Sequence, residues 1–129
     1  MSGRRLGPCP AKPNCVSTQS TDPEKRMPAL RFEGEVEPVR AAILEVLAEA
    51  PRARVVEAKA DYIHAEFTTL LFRFVDDVEF AIDPGAKRVD FRSASRVGHS
   101  DLGTNRRRME ELSRRLEGRA GLVRLSSGG

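Results

Sequence analysis

Two adjacent carboxylates, Asp76 and Asp77, are the most conspicuous residues in the chain that could do chemistry. Pairs of carboxylates carry out general acid/base catalysis when both reach one substrate. Neighbouring residues of a β-strand, however, point to opposite faces of the sheet. Hydrophobic alternation around these two residues predicts a strand, so they cannot act as one acid/base pair unless a bulge intervenes.

Three serines, Ser93, Ser95 and Ser100, have only His64 and His99 as potential general bases. Such a coincidence is common in a chain of this size and carries little weight. The sequence contains no glycine-rich phosphate loop, no nucleophile elbow, no zinc-binding helix motif and no C-x-x-C redox motif. We therefore predict no catalytic residue and no cofactor.

The two cysteines, Cys9 and Cys15, flank residues 10–14, whose two prolines and asparagine favour a tight turn. A disulfide would close this turn and contribute about 2–3 kcal/mol. Two free thiols in a reducing compartment are an alternative, because cytosolic disulfides are uncommon. A metal site would need two further ligands, and the chain has only two histidines. We predict the disulfide and no metal site.

Length and composition favour one soluble globular domain. The 129 residues are enough for one core and too few for two ordinary domains. We place an irregular N-terminal arm at residues 1–28, the domain at 29–118 and a flexible tail at 119–129. No apolar run approaches the length of about 18 residues that a membrane span needs, and residues 1–8 lack the apolar core of a signal peptide. We expect neither segment.

Charge gives a weak indication of partners. The net charge of +3 permits contact with anions without requiring it. Seven arginines lie between residues 106 and 124, yet base stacking needs exposed aromatic rings, and the chain has no Trp and one Tyr. We do not expect nucleic-acid binding. A small polar or anionic ligand, or a protein partner, fits the composition better.

Hydrophobic periodicity predicts an α+β fold. Apolar residues at helical spacing predict a first helix from Pro38 to Ala50 and a second ending near Glu117, with Gly118 as its stop signal. These elements give an antiparallel sheet of about four to five strands with two helices packed on one face, in the order β-α-β-β-β-β-α. The predicted strands cover about residues 30–34, 54–58, 62–67, 71–83 and 88–97.

The last two predicted strands form a hairpin around an Asp-Pro-Gly turn, with Phe80 opposite Phe91. The two-residue period then turns Asp76 toward the helices, where an isolated carboxylate would be costly. Either a polar cluster of Asp76, Ser93, Ser95, Asn105 and Arg106 fixes the second helix onto the sheet, or the same groups hold a ligand. The candidate ligand-binding residues are Asp76, Arg92, Ser93, Ser95, Arg96, Ser100, Asp101, Asn105 and Arg106.

The opposite face of the same sheet carries charges of both signs. Glu66 can pair with Arg73, and Glu79 with Arg92, across neighbouring strands. We interpret this face as solvated, with paired charges that deter stacking against other sheets. A shallow groove for a polar or anionic ligand is the alternative. His64 is assigned to the surface or sheet edge rather than to catalysis.

Three separated motifs carry a family resemblance. They are Cys9-Pro10 with Pro-Asn-Cys-Val-Ser at 13–17, Phe-Arg-Phe-Val-Asp-Asp-Val-Glu-Phe at 72–80, and Arg-Ser-Ala-Ser-Arg-Val-Gly-His-Ser-Asp-Leu-Gly at 92–103 with Asn105-Arg106. Over about residues 9–117 the chain resembles the domain of unknown function 1499 family. The resemblance implies no agreed activity. Many members carry an N-terminal membrane or export segment, which we do not expect here.

The sequence as a whole favours a non-catalytic binding or structural module. Its polar site is expected at the end of the sheet near the second helix, where the motifs of the resemblance also fall. A small hydrolase-like or isomerase-like enzyme that uses the same polar cluster is the alternative.

Overall fold

The fold is carried by seven strands and two helices within residues 6–70, 73–97 and 103–125, which are the residues that the computed structural model describes. The helices are α1 (Val36–Glu49) and α2 (Thr104–Leu116). The strands are β1 (Cys15–Ser17), β2 (Leu30–Arg31), β3 (Ala53–Ala58), β4 (Tyr62–Thr68), β5 (Val75–Asp83), β6 (Arg88–Ser95) and β7 (Val123–Arg124).

One antiparallel sheet contains all of these strands. The strands β3, β4, β5 and β6 are neighbours in that order. Two short strands share the other edge of β6, since β1 pairs with its residues 92–94 and β2 with its residues 88–89, and β7 pairs with β2. Both helices lie on one side of the sheet. The predicted α+β class is confirmed, and the additional strands β1 and β7 come from the arm and the tail.

The β5–β6 hairpin fixes which residues face the helices. Phe80 lies opposite Phe91, as predicted, and the two rings meet edge to face with centroids 6.3 Å apart. The Asp83 carboxylate accepts hydrogen bonds of 3.0 Å from the N–H groups of residues 85 and 86, which stabilises the turn. Every second residue of β5 from position 76 to 82 is consequently buried on the helix side.

Each helix buries one apolar stripe against the sheet. Val39 and Ile43 in α1, and Met109 and Leu116 in α2, are at most 1% exposed. Full burial of a side chain of this size contributes about 1.5–3 kcal/mol, so these stripes hold the helices in place. The helix α2 ends before Gly118, whose φ of 87° is a left-handed conformation that glycine adopts without strain.

The start of β5 differs from the prediction. The sequence pattern predicts a strand over residues 71–83, whereas β5 begins at Val75. A turn causes the difference, because the N–H groups of Arg73 and Phe74 donate to the carbonyl and hydroxyl oxygens of Thr69 at 3.1 and 2.9 Å. Arg73 is in the left-handed region with φ 57°. Phe74 is therefore 46% exposed instead of facing the helices.

The arm and the tail both supply strands that the sequence pattern does not predict. Cys9 and Cys15 form a disulfide, and Cys15 is the first residue of β1. Where a flexible tail is predicted, Leu122 is instead completely buried and β7 pairs with β2. Strands of two or three residues are too short to show an alternating pattern, so only their pairing partners reveal them.

Candidate functional site

Asp76 lies on the helix side of the sheet near the start of β5, as the alternation predicts. It is opposite Phe67 of β4 and Ser95 of β6, and it is 1% exposed. A buried carboxylate is costly unless it is paired or hydrogen-bonded. Its partners therefore decide what this end of the sheet does.

Arg108 of α2 is the ionic partner of Asp76. Its Nη2 donates to Asp76 Oδ2 at 2.7 Å, while its Nη1 donates to Asn105 Oδ1 at 2.9 Å and to Ser93 Oγ at 3.3 Å. Its guanidinium carbon also lies 4.9 Å from the centre of the Phe67 ring, within the range of a cation–π contact. One side chain of α2 therefore links three strands.

Asn105, in the first turn of α2, completes this arrangement. Its Oδ1 accepts a hydrogen bond from Ser93 Oγ at 2.5 Å. Its Nδ2 donates to Ser95 Oγ at 2.9 Å and to the backbone oxygen of Asn14 at 3.1 Å, so the start of α2 is fixed to both β6 and the arm. We call the following residues the inner cluster: Asp76, Ser93, Ser95, Asn105 and Arg108.

One acceptor of the inner cluster is unused. Asp76 Oδ1 is buried and has no hydrogen-bond partner within the described residues. Its carboxylate is nevertheless balanced by Arg108 through Oδ2. The Asp76 side chain is 2% exposed, so its carboxylate has almost no contact with solvent.

A cavity of about 430 Å³ lies beside Arg108, between the end of α1, the end of β4 and one side of α2. Its volume falls within the range of about 300–1,000 Å³ that is typical of small-molecule sites. Its walls combine arginines with apolar side chains. Its lining includes Arg52, Phe67, Leu70, Arg108, Leu112 and Arg115.

Arg106 does not join the inner cluster. It donates from Nη2 to the backbone oxygen of Glu24 in the arm, at 2.6 Å. Arg108 takes the position that the sequence predicts for Arg106. The three arginines at 106–108 look alike in sequence, and only the spacing of three residues from Asn105 indicates that Arg108 shares its face of the helix.

The other candidate residues also lie apart from the inner cluster or cannot be placed. Arg92 and Arg96 are on the opposite face of the sheet, where they pair with acidic residues. Ser100 and Asp101 lie outside the described residues, so their part in a site stays a prediction. The structure brings together these candidates: Asp76, Ser93, Ser95 and Asn105.

A second charge network covers the opposite face of the same strands. Arg96 binds Asp77 through two hydrogen bonds of 2.8 Å and Glu66 through one of 2.6 Å. Glu66 also pairs with Arg54 at 2.9 Å, and His64 Nε2 lies 2.8 Å from Asp77 Oδ1. We call these five residues the outer ladder.

Of the two ion pairs predicted for this face, one is present. Arg92 lies 3.4 Å from Glu79, and it also donates to the backbone oxygen of Pro8 in the arm at 3.2 Å. The pair between Glu66 and Arg73 is not formed, because Arg73 belongs to the turn before β5. Glu66 instead pairs with Arg54 and Arg96 of the outer ladder.

Arg96 lowers the pKa of both carboxylates of the outer ladder. For Asp77 its hydrogen bonds are the largest cause, opposed by partial burial and assisted by His64. For Glu66 the hydrogen bond from Arg96 is again the largest cause, followed by that from Arg54, and both lower the pKa. Asp77 and then Glu66 in turn raise the pKa of Arg96. The two carboxylates and Arg96 therefore keep their charges at neutral pH.

The outer ladder contains one histidine, and this histidine is bound to a carboxylate. The hydrogen bond between His64 and Asp77 resembles the base and carboxylate of a catalytic triad, but no Ser, Thr or Cys side chain of the described residues forms a hydrogen bond with this histidine. In the same part of the chain, no group of three or more His, Cys, Asp or Glu residues is placed to hold a metal ion.

The fold and the site define a class: an α+β domain with two helices on one side of an antiparallel sheet and a buried polar cluster beside a cavity. No helix in the described ranges has both the length and the apolar character needed to cross a bilayer.

No curated protein and no solved structure matches the chain. The chain belongs to the family described as protein of unknown function DUF1499, whose model matches residues 5–116. The resemblance seen in its motifs is thereby confirmed.

Proposed function

We propose that this domain is a non-catalytic binding module for a small polar or anionic ligand, with its site at the sheet end near α2. The ligand occupies the cavity beside Arg108, and the inner cluster supports the wall of that cavity. One observation carries the proposal: Arg108 is bound to Asp76 and also lines the cavity.

Arg108 is held in one orientation before any ligand arrives. Asp76, Ser93 and Asn105 fix its nitrogens, and Phe67 lies against its guanidinium group. Its side chain is still 12% exposed. A donor that is already ordered loses little conformational freedom on binding, which favours affinity for a carboxylate or phosphate oxygen.

A purely structural role would explain the inner cluster but not the cavity. The hydrogen bonds of the cluster fix α2 onto β5 and β6. A contact that only joins a helix to a sheet, however, is best served by complete packing around it, because a gap forfeits dispersion contacts. The open space beside Arg108 therefore favours binding.

An enzyme of the hydrolase or isomerase kind is a second candidate for the same cavity. Such an enzyme needs a group that can transfer a proton to or from the substrate. Asp76 is enclosed behind Arg108, and Glu111, which lines the cavity, is bound to Arg115 at 2.9 Å. Because both carboxylates are engaged with arginines, we favour binding over catalysis.

Thermal-shift measurements against a panel of small carboxylates, phosphates and neutral polar compounds test the proposal, with calorimetry to establish saturation. We expect anions to raise the Tm and to bind the Arg108→Lys variant at least about tenfold more weakly, because lysine lacks the planar fork of donors. The matched control Arg31→Lys changes an exposed arginine outside the cavity. Absence of any saturable ligand contradicts the proposal, and turnover of a bound compound establishes the enzyme alternative.

A further inference from the structure

We infer, on the basis of the proposed function, that the ligand is a monoanionic amphiphile, such as a medium-chain carboxylate. Its charged head lies between Arg52 and the fixed guanidinium of Arg108 at the cavity. Its apolar chain lies along the wall formed by Phe67, Leu70 and Leu112. Two independent features of the cavity, one electrostatic and one apolar, lead to this class.

The electrostatic feature is an arginine without a counter-ion. Three arginines line the cavity, and two of them are already paired, Arg108 with Asp76 and Arg115 with Glu111. Arg52 is solvent-exposed and makes no ion pair with any residue that the structure describes. An arginine without an acidic partner at the edge of a cavity attracts a negative charge.

The backbone keeps Arg52 at this place. Its carbonyl oxygen accepts a hydrogen bond of 3.0 Å from the N–H of Thr68 at the end of β4. Its φ is 61°, a left-handed conformation that few residues other than glycine adopt. A residue held in a disfavoured conformation at the edge of a cavity is a reason to look for a function there.

The second feature is the apolar part of the cavity. Leu70 is 76% exposed, the highest value among the large apolar side chains of the described residues. A single exposed leucine needs no explanation, but Leu70 continues an apolar lining made by Ala50, Pro51, Phe67 and Leu112. An apolar ligand chain that covered Leu70 would remove both its own surface and that of Leu70 from water.

Two other ligand classes fit less well. A nucleotide brings several negative charges and a base that needs a free aromatic face. Of the three arginines that line the cavity, only Arg52 lacks an acidic partner among the described residues, and the Phe67 ring is already in contact with Arg108. An uncharged lipid would bury the apolar wall and leave Arg52 unpaired. The amphiphilic anion satisfies both features at once.

Calorimetric titration of the whole chain with acetate, hexanoate, decanoate and uncharged decanamide tests the inference. Affinity should rise with chain length by up to about fourfold for each buried methylene group. Decanamide should bind at least about tenfold more weakly than decanoate, because it lacks the charge that Arg52 pairs with.

Two variants assign the two halves of the ligand. Arg52→Gln should weaken decanoate binding about tenfold without lowering the Tm of the free protein, since no described ion pair is lost. Leu70→Ser should weaken decanoate but leave acetate unchanged. The matched control is Arg31→Gln, which removes an exposed arginine outside the cavity and should change neither affinity.

Three outcomes are decisive against the inference. If small anions bind but chain length has no effect, the amphiphile is wrong while the proposed function stands. Equal decanoate affinity in the wild type, Arg52→Gln and Leu70→Ser indicates adsorption elsewhere and also overturns it. If neither decanoate nor any compound of the earlier panel binds, the proposed function fails as well.

Discussion

Asp76 and Asp77 are consecutive residues of β5 and both are bound to an arginine, yet they face two different environments. The side chains of Asp76 and Arg108 are 2% and 12% exposed, whereas those of Asp77 and Arg96 are 24% and 46% exposed. The same chemical pair is therefore desolvated on the helix side and screened by water on the other. The difference in exposure arises because neighbouring residues of a strand point to opposite faces of the sheet.

Exposure determines what each pair contributes. The attraction within a buried pair is largely offset by the cost of removing both charges from water, but breaking the pair leaves one charge unsatisfied. An exposed pair gains little and loses little, because water replaces either partner. We therefore interpret the inner cluster as the contact that fixes the position of α2, and the outer ladder as a surface feature of smaller energetic weight.

The largest effect should come from Arg108→Met, which leaves the Asp76 carboxylate buried without a cation. We expect the free energy of unfolding to fall by about 3–5 kcal/mol, measured by urea denaturation. The matched variant Arg96→Met should lose clearly less, since Asp77 remains within reach of water. Equal losses in the two variants would remove the distinction between the faces.

A double variant sharpens the same test. Replacing both partners, as in Asp76→Leu with Arg108→Met, removes the buried charge together with its counter-ion. We expect it to recover much of the stability lost in the single variant, because a well-packed apolar pair can substitute for a buried ion pair. A double variant as unstable as Arg108→Met alone would show that packing, and not the unpaired charge, causes the loss.

Part of this arrangement could be predicted from the sequence. The inward position of Asp76 and the pairing of Phe80 with Phe91 follow from a two-residue period and a strong turn signal, which are both local in sequence. The choice of Arg108 among three consecutive arginines is not local. The three-residue spacing from Asn105 favours Arg108, but the hydrogen bonds of Arg108 to β5 and β6 depend on how α2 packs on the sheet.

Other parts depend on contacts between distant segments. The strands β1 and β7 contain two or three residues each and exist only because β6 and β2 offer them edges. The start of β5 is set by the turn at Thr69. The sequence does not predict this turn, because the apolar pattern from residue 71 onward is typical of a strand. The cavity lies between the end of α1, the end of β4 and the side of α2, so no single stretch of sequence predicts it.

The disulfide offers the next largest effect, because the arm that it closes touches both faces. The backbone oxygens of Pro8 and Asn14 accept hydrogen bonds from Arg92 and Asn105, respectively. Replacing both cysteines by serine should lower the free energy of unfolding by about 2–3 kcal/mol through loop entropy, measured by urea denaturation. Reduced wild-type protein should match this variant. Unchanged stability on reduction would show that the arm is held without the disulfide.

Substituting the two adjacent carboxylates compares the faces with the smallest change in shape. Asp76→Asn should cost about 1–3 kcal/mol, because it disturbs a buried, charge-assisted hydrogen bond to Arg108. Asp77→Asn, one residue away, should cost at most about 1 kcal/mol. Melting curves and urea denaturation of both variants measure the difference. Unchanged melting of Asp76→Asn would show that its carboxylate charge is not needed to fix α2.

The smallest effect should appear as acid sensitivity of the outer ladder. The pKa values of Asp77 and Glu66 are lowered below their ordinary values of 3.8 and 4.5, with Arg96 as the first cause for each. In this acid range the unfolded chain binds more protons than the folded chain, so the stability that these two groups contribute is present above their unfolded pKa values and is lost as pH falls through the folded ones.

We therefore expect urea denaturation between about pH 2.5 and 6 to show stability falling with pH below about 4.5, more steeply in the wild type than in Arg96→Gln. The control Arg31→Gln makes the same change of charge at an exposed arginine outside the ladder and should keep the wild-type slope. Parallel slopes in Arg96→Gln and the wild type would mean that Arg96 does not hold these carboxylates ionised. The outer ladder would then behave as an ordinary charged surface, with no measurable effect of Arg96 on the ionisation of Asp77 and Glu66.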